Sequence, residues 1–423
     1  MLDLKAVRDD PQPVRLALAR RSPDLAADLD RLLDLDRERR RLTTEVDELR
    51  AEQNRASRAI GSAQGGDREG LIEETRGISD RLSALEPKLQ AAEEEVRTLL
   101  DRLPNPPHDS VPQGETDEDN EILREVGDRP TFPFEPRDHV DLGEGLGILD
   151  LERGARLSGT RFAYLLGGAV MVQFALVRYC LDRLHGKGFV PVIPPVLVRE
   201  EAMHGTGFLP TDEAQLYVTR EDELYLVGTS EVALAGLHQG EVLEAGSLPR
   251  RYVGYSTCFR REAGAHGRDT RGIFRVHQFD KVEMFSFSEP DGSWDEHEFL
   301  LACEEELIRG LELPYRVANV CTAELGASAA KKYDLEVWLP GQGRYRELTS
   351  CSNTTDYQAR RLGVRLRSPD GNRPAHTLNG TACAIGRTLI ALLENHQRED
   401  GSVALPAVLH PYLPEGYRTL VPA

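Results

Sequence analysis

Cys258-Phe-Arg-Arg-Glu-Ala-Gly-Ala-His-Gly-Arg-Asp-Thr-Arg-Gly-Ile-Phe-Arg-Val-His-Gln-Phe-Asp-Lys-Val-Glu283 reads as a strand, a long charged loop and a second strand. Arg260, Arg261, Arg268, Arg271 and Arg275 concentrate cations there, in a chain that is otherwise acidic. Guanidinium forks match phosphate oxygens bidentately, so the loop suits a polyphosphate substrate. The sequence contains no G-x-x-x-x-G-K-[ST] and no strand-coupled G-x-G-x-x-G, so neither a P-loop nor a Rossmann site holds that phosphate. On composition alone, a solvated arginine loop paired with the local acids fits equally well.

Further strand-like runs lie at Tyr225–Val227, Tyr252–Phe259, Phe279–Phe287, Tyr345–Ser350 and Thr377–Ala384, with a helix expected over Gly168–His185. Their long connections, without regular strand–helix alternation, oppose a doubly wound parallel sheet. An α+β domain, an antiparallel sheet flanked by helices, is the expected architecture. Residues 104–137, rich in Pro, Asp and Glu, read as a linker leading into it.

The first hundred residues differ. From Arg31 to Ile60 there is neither Pro nor Gly, and Leu35, Leu42, Val46, Leu49, Gln53, Ala56 and Ile60 form a seam of three- and four-residue steps. After a Gly-rich break at Gly61–Asp67 the seam resumes with Ile78, Leu82, Leu85, Leu89, Ala92, Val96, Leu99 and Leu103. Two heptad segments joined in this way predict an antiparallel coiled-coil hairpin. Each helix should reach roughly 45 Å, and Pro87 should kink the second or remove one of its hydrogen bonds. A spacer or dimerisation element and an arm for an extended partner both fit such a hairpin.

Length and composition bound the rest. With 423 residues, two or three domains of about 150 are expected. Lys plus Arg total 52 against 71 Asp plus Glu, a net −19, which at face value opposes a nucleic-acid partner. Six singly scattered cysteines, with no C-x-x-C, fit reduced thiols in a cytoplasm rather than a zinc ribbon or a disulfide scaffold. The opening MLDLKAVRDD carries charges where a signal peptide is apolar, and Phe162–Val177 is too short to span a membrane.

Order and wording add a resemblance. Phe259-Arg260-Arg261-Glu262 with Phe279 and Glu283 resembles motif 2 of class II aminoacyl-tRNA synthetases (about 252–287). Thr377-Leu-Asn-Gly-Thr-Ala-Cys-Ala-Ile-Gly-Arg387, running into a helix over Thr388–His396, resembles motif 3 (about 376–398). Phe189–Val198 with Pro194 resembles motif 1 (about 186–198), the dimer-forming element. Gly264–Gly272, His277–Glu283, Gly228-Thr-Ser-Glu231, Glu347-Leu-Thr-Ser-Cys-Ser-Asn353 and Leu103–Pro112 are similar to the seryl-tRNA synthetase family of bacterial type, over essentially the whole chain.

That resemblance implies a tRNA-binding domain at 1–110, with the arm at about 31–103, and a catalytic domain at 111–423. It implies serine activation by ATP and transfer of the seryl group to serine tRNA, with selenocysteine tRNA left open. Arg260 and Arg387 are implied as catalytic, Arg260 bridging the serine carboxylate and the α-phosphate. Thr229, Glu231, Arg260, Glu283, Asn379 and Thr381 are implied to bind serine. The implied ATP set is Arg260, Arg261, Glu262, Arg275, Val276, Phe279, Glu347, Leu348, Thr349, Ser350 and Arg387. Within it Glu262 accepts from the adenine amino group and Phe279 stacks on the ring. Glu347 and Ser350 are hard oxygen ligands appropriate to Mg²⁺, and zinc is not expected. His266 and His277 receive no role, because a substrate carboxylate is already ionised and needs no base. The implied partners are L-serine, serine tRNA held by the hairpin across a homodimer, and no membrane.

Three departures stand out: Pro87, Glu231-Val-Ala233 where Val-Pro commonly follows the Glu, and Ala382-Cys383 within motif 3. A ligase loading an amino acid onto a carrier protein and a specialised or inhibitor-resistant second copy share these catalytic residues; the carrier ligases lack the arm. A non-catalytic paralogue predicts loss of Arg260, Glu262, Glu347 or Arg387, and all four are present.

Overall fold

The computed structural model describes residues 1–423 apart from 63, 65, 245, 265–268, 270, 370 and 423. His266 and Arg268 therefore lie outside the described residues. The chain forms two units, Met1–Pro104 and Asn105–Ala423.

The first unit is helical. Asp3 caps a short helix, Leu4–Asp9, by accepting from Lys5 N (2.9 Å) and Ala6 N (3.1 Å). Pro11 begins the next helix, Pro11–Arg21, where its missing N–H costs nothing. The hairpin follows as Pro23–Ser62 and Gly66–Arg102. The first of these starts at Pro23 rather than near Arg31, so at 1.5 Å per residue each helix runs about 55–60 Å. The expected break at Gly61–Asp67 is also shorter, because helix persists to Ser62 and resumes at Gly66.

Val46, Leu49, Ile78 and Leu82 bury one stretch of the seam. Val96, Leu99 and Leu103 join Leu18, Leu29 and Leu32 at its base. Beside that base, Asp36 is fully buried and receives Arg8 (3.0 Å), Arg39 (2.7 Å) and Arg40 (3.1 Å). Burial opposes its charge, but Arg39 and Arg8 hold its carboxyl below the usual range. Pro87 leaves the second helix unbroken. It lies on the exposed face together with Ser83, whose freed carbonyl water can satisfy, while Leu82 stays packed.

The second unit is built on an eight-stranded sheet. In spatial order its strands are Glu121–Val126, Tyr315–Asn319, Lys331–Leu339, Arg344–Asn353, His376–Ala384, Gln278–Ser288, Arg250–Phe259 and Val190–Val192. Every pairing is antiparallel except the last, where Val190–Val192 runs parallel to Tyr252–Gly254. Helices Gly168–His185, Ser293–Gly310 and Ile385–Asn395 contribute to the main core with Val282, Met284, Leu378 and Ala382 from the sheet. Side chains alternate across a strand, which turns Lys281, Glu283, Asn379 and Thr381 to the opposite face.

Two expectations need correction. Residues 104–137 are not merely a linker. Asn105 Nδ2 donates to Ser328 O (2.9 Å) and Thr354 O (2.8 Å), and Glu121–Val126 is the sheet's edge strand. The motif 1 run is not one strand either. Pro194 and Pro195 cannot donate to a ladder, so Val190–Val192 and Leu197–Val198 pair in different sheets. Among the described residues no helix is long and apolar enough to cross a membrane.

Candidate active site

Two chambers open side by side on the opposite face of the sheet, the one carrying Lys281 and Glu283, beside a smaller core that Phe285 and Phe287 form with Leu234 and Leu362. Arg260, Glu262, Arg275, Val276, Phe279, Glu347, Leu348, Ser350 and Arg387 line the first. Thr229, Glu231, Glu283 and Asn379 line the second. Arg260, Lys281, Ser350 and Thr381 line both and mark the border between them.

Strand register produces this convergence. Glu283 pairs with Thr381 and Phe285 with Asn379, while Ser352 pairs with Asn379 on the other side. Glu283 and Thr381 meet as neighbours, Thr381 Oγ1 donating to Glu283 Oε2 at 3.2 Å. Lys281 Nζ lies 2.6 Å from the same oxygen. Glu231 Oε1 accepts from Gln358 Nε2 (2.8 Å) and Asn379 Nδ2 (2.9 Å). Burial, and then the neighbouring charge of Glu283, push Glu231 up to about 7. Thr229 Oγ1 accepts from Glu231 N (3.2 Å), at the first residue of a short helix.

Cations dominate the first chamber. Arg260 Nε donates to Gly228 O (3.2 Å), and its guanidinium lies 5.3 Å from the Phe279 ring. Arg387 reaches Glu347 O (3.0 Å) and Oε2 (3.3 Å) and stacks 4.7 Å over Phe274. Desolvation raises the Glu347 carboxyl, but Arg387, Lys332 and Arg260 together outweigh it and hold it at about 2. Its side chain is nevertheless 44% exposed, so an ionised carboxylate stands open to a ligand. Arg275 Nη1 pairs with Glu262 Oε2 at 2.7 Å.

Not every predicted residue joins the chambers. Arg261 is exposed and contributes its backbone N–H to Gln215 O (2.9 Å). Thr349 points to the other face, donating to the buried Glu304 at 2.7 Å. Arg271 turns away to Asp138 and Asp141. His277 Nδ1 donates to Arg260 O (3.0 Å), holding the arginine's backbone.

Sequence reading missed Gln215, Gln358 and Lys281. Glu262 has a left-handed backbone (φ +50°). Gln215 clamps both of its neighbours: its carbonyl takes Arg261 N, its Oε1 takes Ala263 N (3.0 Å), and its Nε2 gives to Ala263 O (3.0 Å). Lys281 stands in the decisive stretch two residues before Glu283, a spacing that shares a strand face, and this was the available signal.

An antiparallel sheet presenting an arginine-lined chamber beside a carboxylate-lined one is the catalytic core of a class II aminoacyl-tRNA synthetase. Residues 216–396 match the tRNA synthetase class II core domain (G, H, P, S and T), and residues 1–107 match the Seryl-tRNA synthetase N-terminal domain. A serine–tRNA ligase of Acidothermus cellulolyticus is 50% identical over 413 residues, 98% of either chain. Among solved structures, seryl-tRNA synthetase from Pyrococcus horikoshii, complexed with ATP, is 43% identical with a TM-score of 0.93 and covers 100% of both chains. A cytoplasmic serine–tRNA ligase from Naegleria fowleri, in complex with AMP, is 35% identical with a TM-score of 0.84, covering 95% of this chain and 94% of that one. The chain belongs to the seryl-tRNA synthetase family.

Proposed function

We propose that the protein activates L-serine with ATP and transfers the seryl group to the 3′ end of serine tRNA. The observation that carries this reading is Arg260 on the border of the two chambers, with ionised Glu347 and Arg387 on one side and Glu231 and Glu283 on the other. A serine carboxylate and an ATP α-phosphate are both anionic and repel each other; one guanidinium serving both offsets that repulsion and aligns them. The carboxylate oxygen attacks the α-phosphorus in line, and the bond to the pyrophosphate oxygen breaks. A terminal ribose hydroxyl of the tRNA then attacks the activated carbonyl and releases AMP.

Glu262 and Phe279 address the adenine, and Arg275 and Arg387 the outer phosphates. Val276 and the Glu347–Ser350 segment shape the wall between them. Glu347 and Ser350 would hold Mg²⁺, which would supply positive charge beside the ATP phosphates; the low pKa and exposure of Glu347 suit that task. Thr229, Glu231 and Glu283 receive the ammonium, Glu283 and Thr381 also reach the side-chain hydroxyl, and Asn379 is a further residue of that pocket. Alanine, lacking the hydroxyl, leaves those buried groups unpaired.

The first unit is the tRNA-binding domain, its hairpin recognising RNA by shape and backbone. A homodimer forms through the motif 1 edge, where Val190 and Ile193 are exposed. The compartment is the cytoplasm, in keeping with six unpaired thiols. Serine-dependent pyrophosphate exchange followed by charging of serine tRNA tests the reading. No exchange with serine refutes it, and exchange without charging favours a carrier-protein ligase.

A further inference from the structure

Lys281 is the one cation on the chamber border to which no role above is given. It is only 7% exposed, and its Nζ lies 2.6 Å from Glu283 Oε2, the oxygen that also accepts from Thr381. Glu231, another carboxylate of the serine chamber, takes its hydrogen bonds from the uncharged amides of Gln358 and Asn379. Glu231 and Glu283 thus face one small space, with Asp212 and Glu324 elsewhere on its lining, and of the first two only Glu283 has an ion-pair partner among the described residues.

We infer that Lys281 is a positioning residue that divides the work of the two carboxylates: it reserves Glu283 for the substrate hydroxyl and leaves Glu231 to the substrate ammonium. The inference rests on the serine reading above and refines it. An ionised carboxylate only accepts. With Oε2 occupied by Lys281 and Thr381, Glu283 offers Oε1 as an acceptor, and the hydroxyl must donate to it. The ion pair also offsets the charge of Glu283, so an incoming ammonium gains more by approaching Glu231. Without Lys281, the repulsion that Glu231 already feels from Glu283 is no longer offset by a neighbouring cation. Both carboxylates then compete for ammonium and hydroxyl, and the chamber loses its orientation.

The test compares K281M, E283Q and K281M/E283Q with the unsubstituted full-length protein in serine- and alanine-dependent pyrophosphate exchange. K281M should raise KM for serine roughly tenfold or more, because it leaves a buried carboxylate without its partner. It should narrow the serine-to-alanine ratio of kcat/KM and leave KM for ATP within about twofold, a split that general damage to the fold does not produce. K281M/E283Q removes the orphaned charge together with its partner, so its KM for serine should fall below the sum of the two single effects. Unchanged serine KM and serine-to-alanine ratio in K281M overturn the inference, as does a parallel rise in KM for ATP or strict additivity in the double variant. If K281M does not fold, K281M/E283Q against E283Q decides: discrimination no worse than in E283Q supports the pairing, and a further loss overturns it. No exchange by the unsubstituted protein overturns the serine reading itself; normal exchange with an indifferent K281M overturns only the role of Lys281.

Discussion

Replacing Gln215 by Leu isolates a clamp that touches no proposed substrate group. A non-glycine residue in the left-handed region costs roughly 1–2 kcal/mol, and Glu262 occupies that region at φ +50°. The Gln215 side chain makes two hydrogen bonds to Ala263, both 3.0 Å. At a net 0.5–1.5 kcal/mol apiece they contribute about 1–3 kcal/mol, enough to offset the strain. The backbone bond from Arg261 N survives the substitution and does not fix Ala263. Glu262 should then relax out of the left-handed well, swinging its carboxylate away from Arg275 and the nucleotide chamber. If that energy is lost from ATP binding, KM for ATP rises about 5- to 150-fold. Gln215→Glu keeps the size but sets a carboxylate oxygen against the Ala263 carbonyl, and should not rescue. Pyrophosphate exchange with ATP and serine varied separately gives both constants. An unchanged KM for ATP, or an equal rise in KM for serine, refutes the reasoning.

Three further outcomes are expected. Because burial and Glu283 raise Glu231 to about 7, and the proposed ammonium contact needs its ionised form, kcat/KM for serine should rise as pH increases from 5.5 through about 7 and then level off; a flat profile across that range contradicts the role. Arg50 and Glu86 pair across the hairpin at 2.8 Å, which sets Thr43 opposite Glu93. Excising residues 44–91 and closing with a short Gly turn should spare pyrophosphate exchange and abolish tRNA charging, and intact charging would remove the arm from the mechanism. Asp36→Ala should destabilise the helical unit by about 1–3 kcal/mol, a modest figure because the three arginines remain partly solvated. Since Asp36 titrates below the usual carboxylate range, its contribution is present at neutral pH and is lost as pH falls through the lowered pKa; denaturant melts at pH 7 and pH 3 measure both effects.

What could be read from residues alone follows from how local the information is. The hairpin was legible because a heptad seam repeats within each helix. Its true start was not, because Ser22 Oγ accepting Asp24 N and Pro23 in the first turn extend the helix before the seam begins. Several strands with buried faces were found, whereas Glu121–Val126, exposed at all but its last residue, carries no apolar alternation to betray it. Tyr315–Asn319 and Lys331–Leu339 were missed although both are largely buried. Arg260, Glu283 and Thr381 came from motif wording, and strand register then brought the last two together. Gln358 left no trace, since its partner Glu231 is 127 residues away and the contact exists only after folding.

Charge makes the same point about distance. A net −19 opposed a nucleic-acid partner only if the charges act as one. At physiological salt, exposed charges more than about 8 Å apart are largely screened from each other. On the proposed reading an ATP in the first chamber meets Arg260, Arg275 and Arg387, and among the described residues the only acids on that chamber's lining are Glu262 and Glu347. Three of the nearby acids have partners: Glu262 on Arg275, Asp269 on Arg346, Glu347 under the field of Arg387. Each such pair orders a guanidinium rather than cancelling it, because arginine keeps donors free after one carboxylate is bound. Raising ionic strength should therefore weaken tRNA charging, which depends on exposed contacts along the arm, far more than pyrophosphate exchange. Measured from about 50 to 200 mM salt, a steeper decline for exchange than for charging would show that the chamber's charges are screened like surface ones.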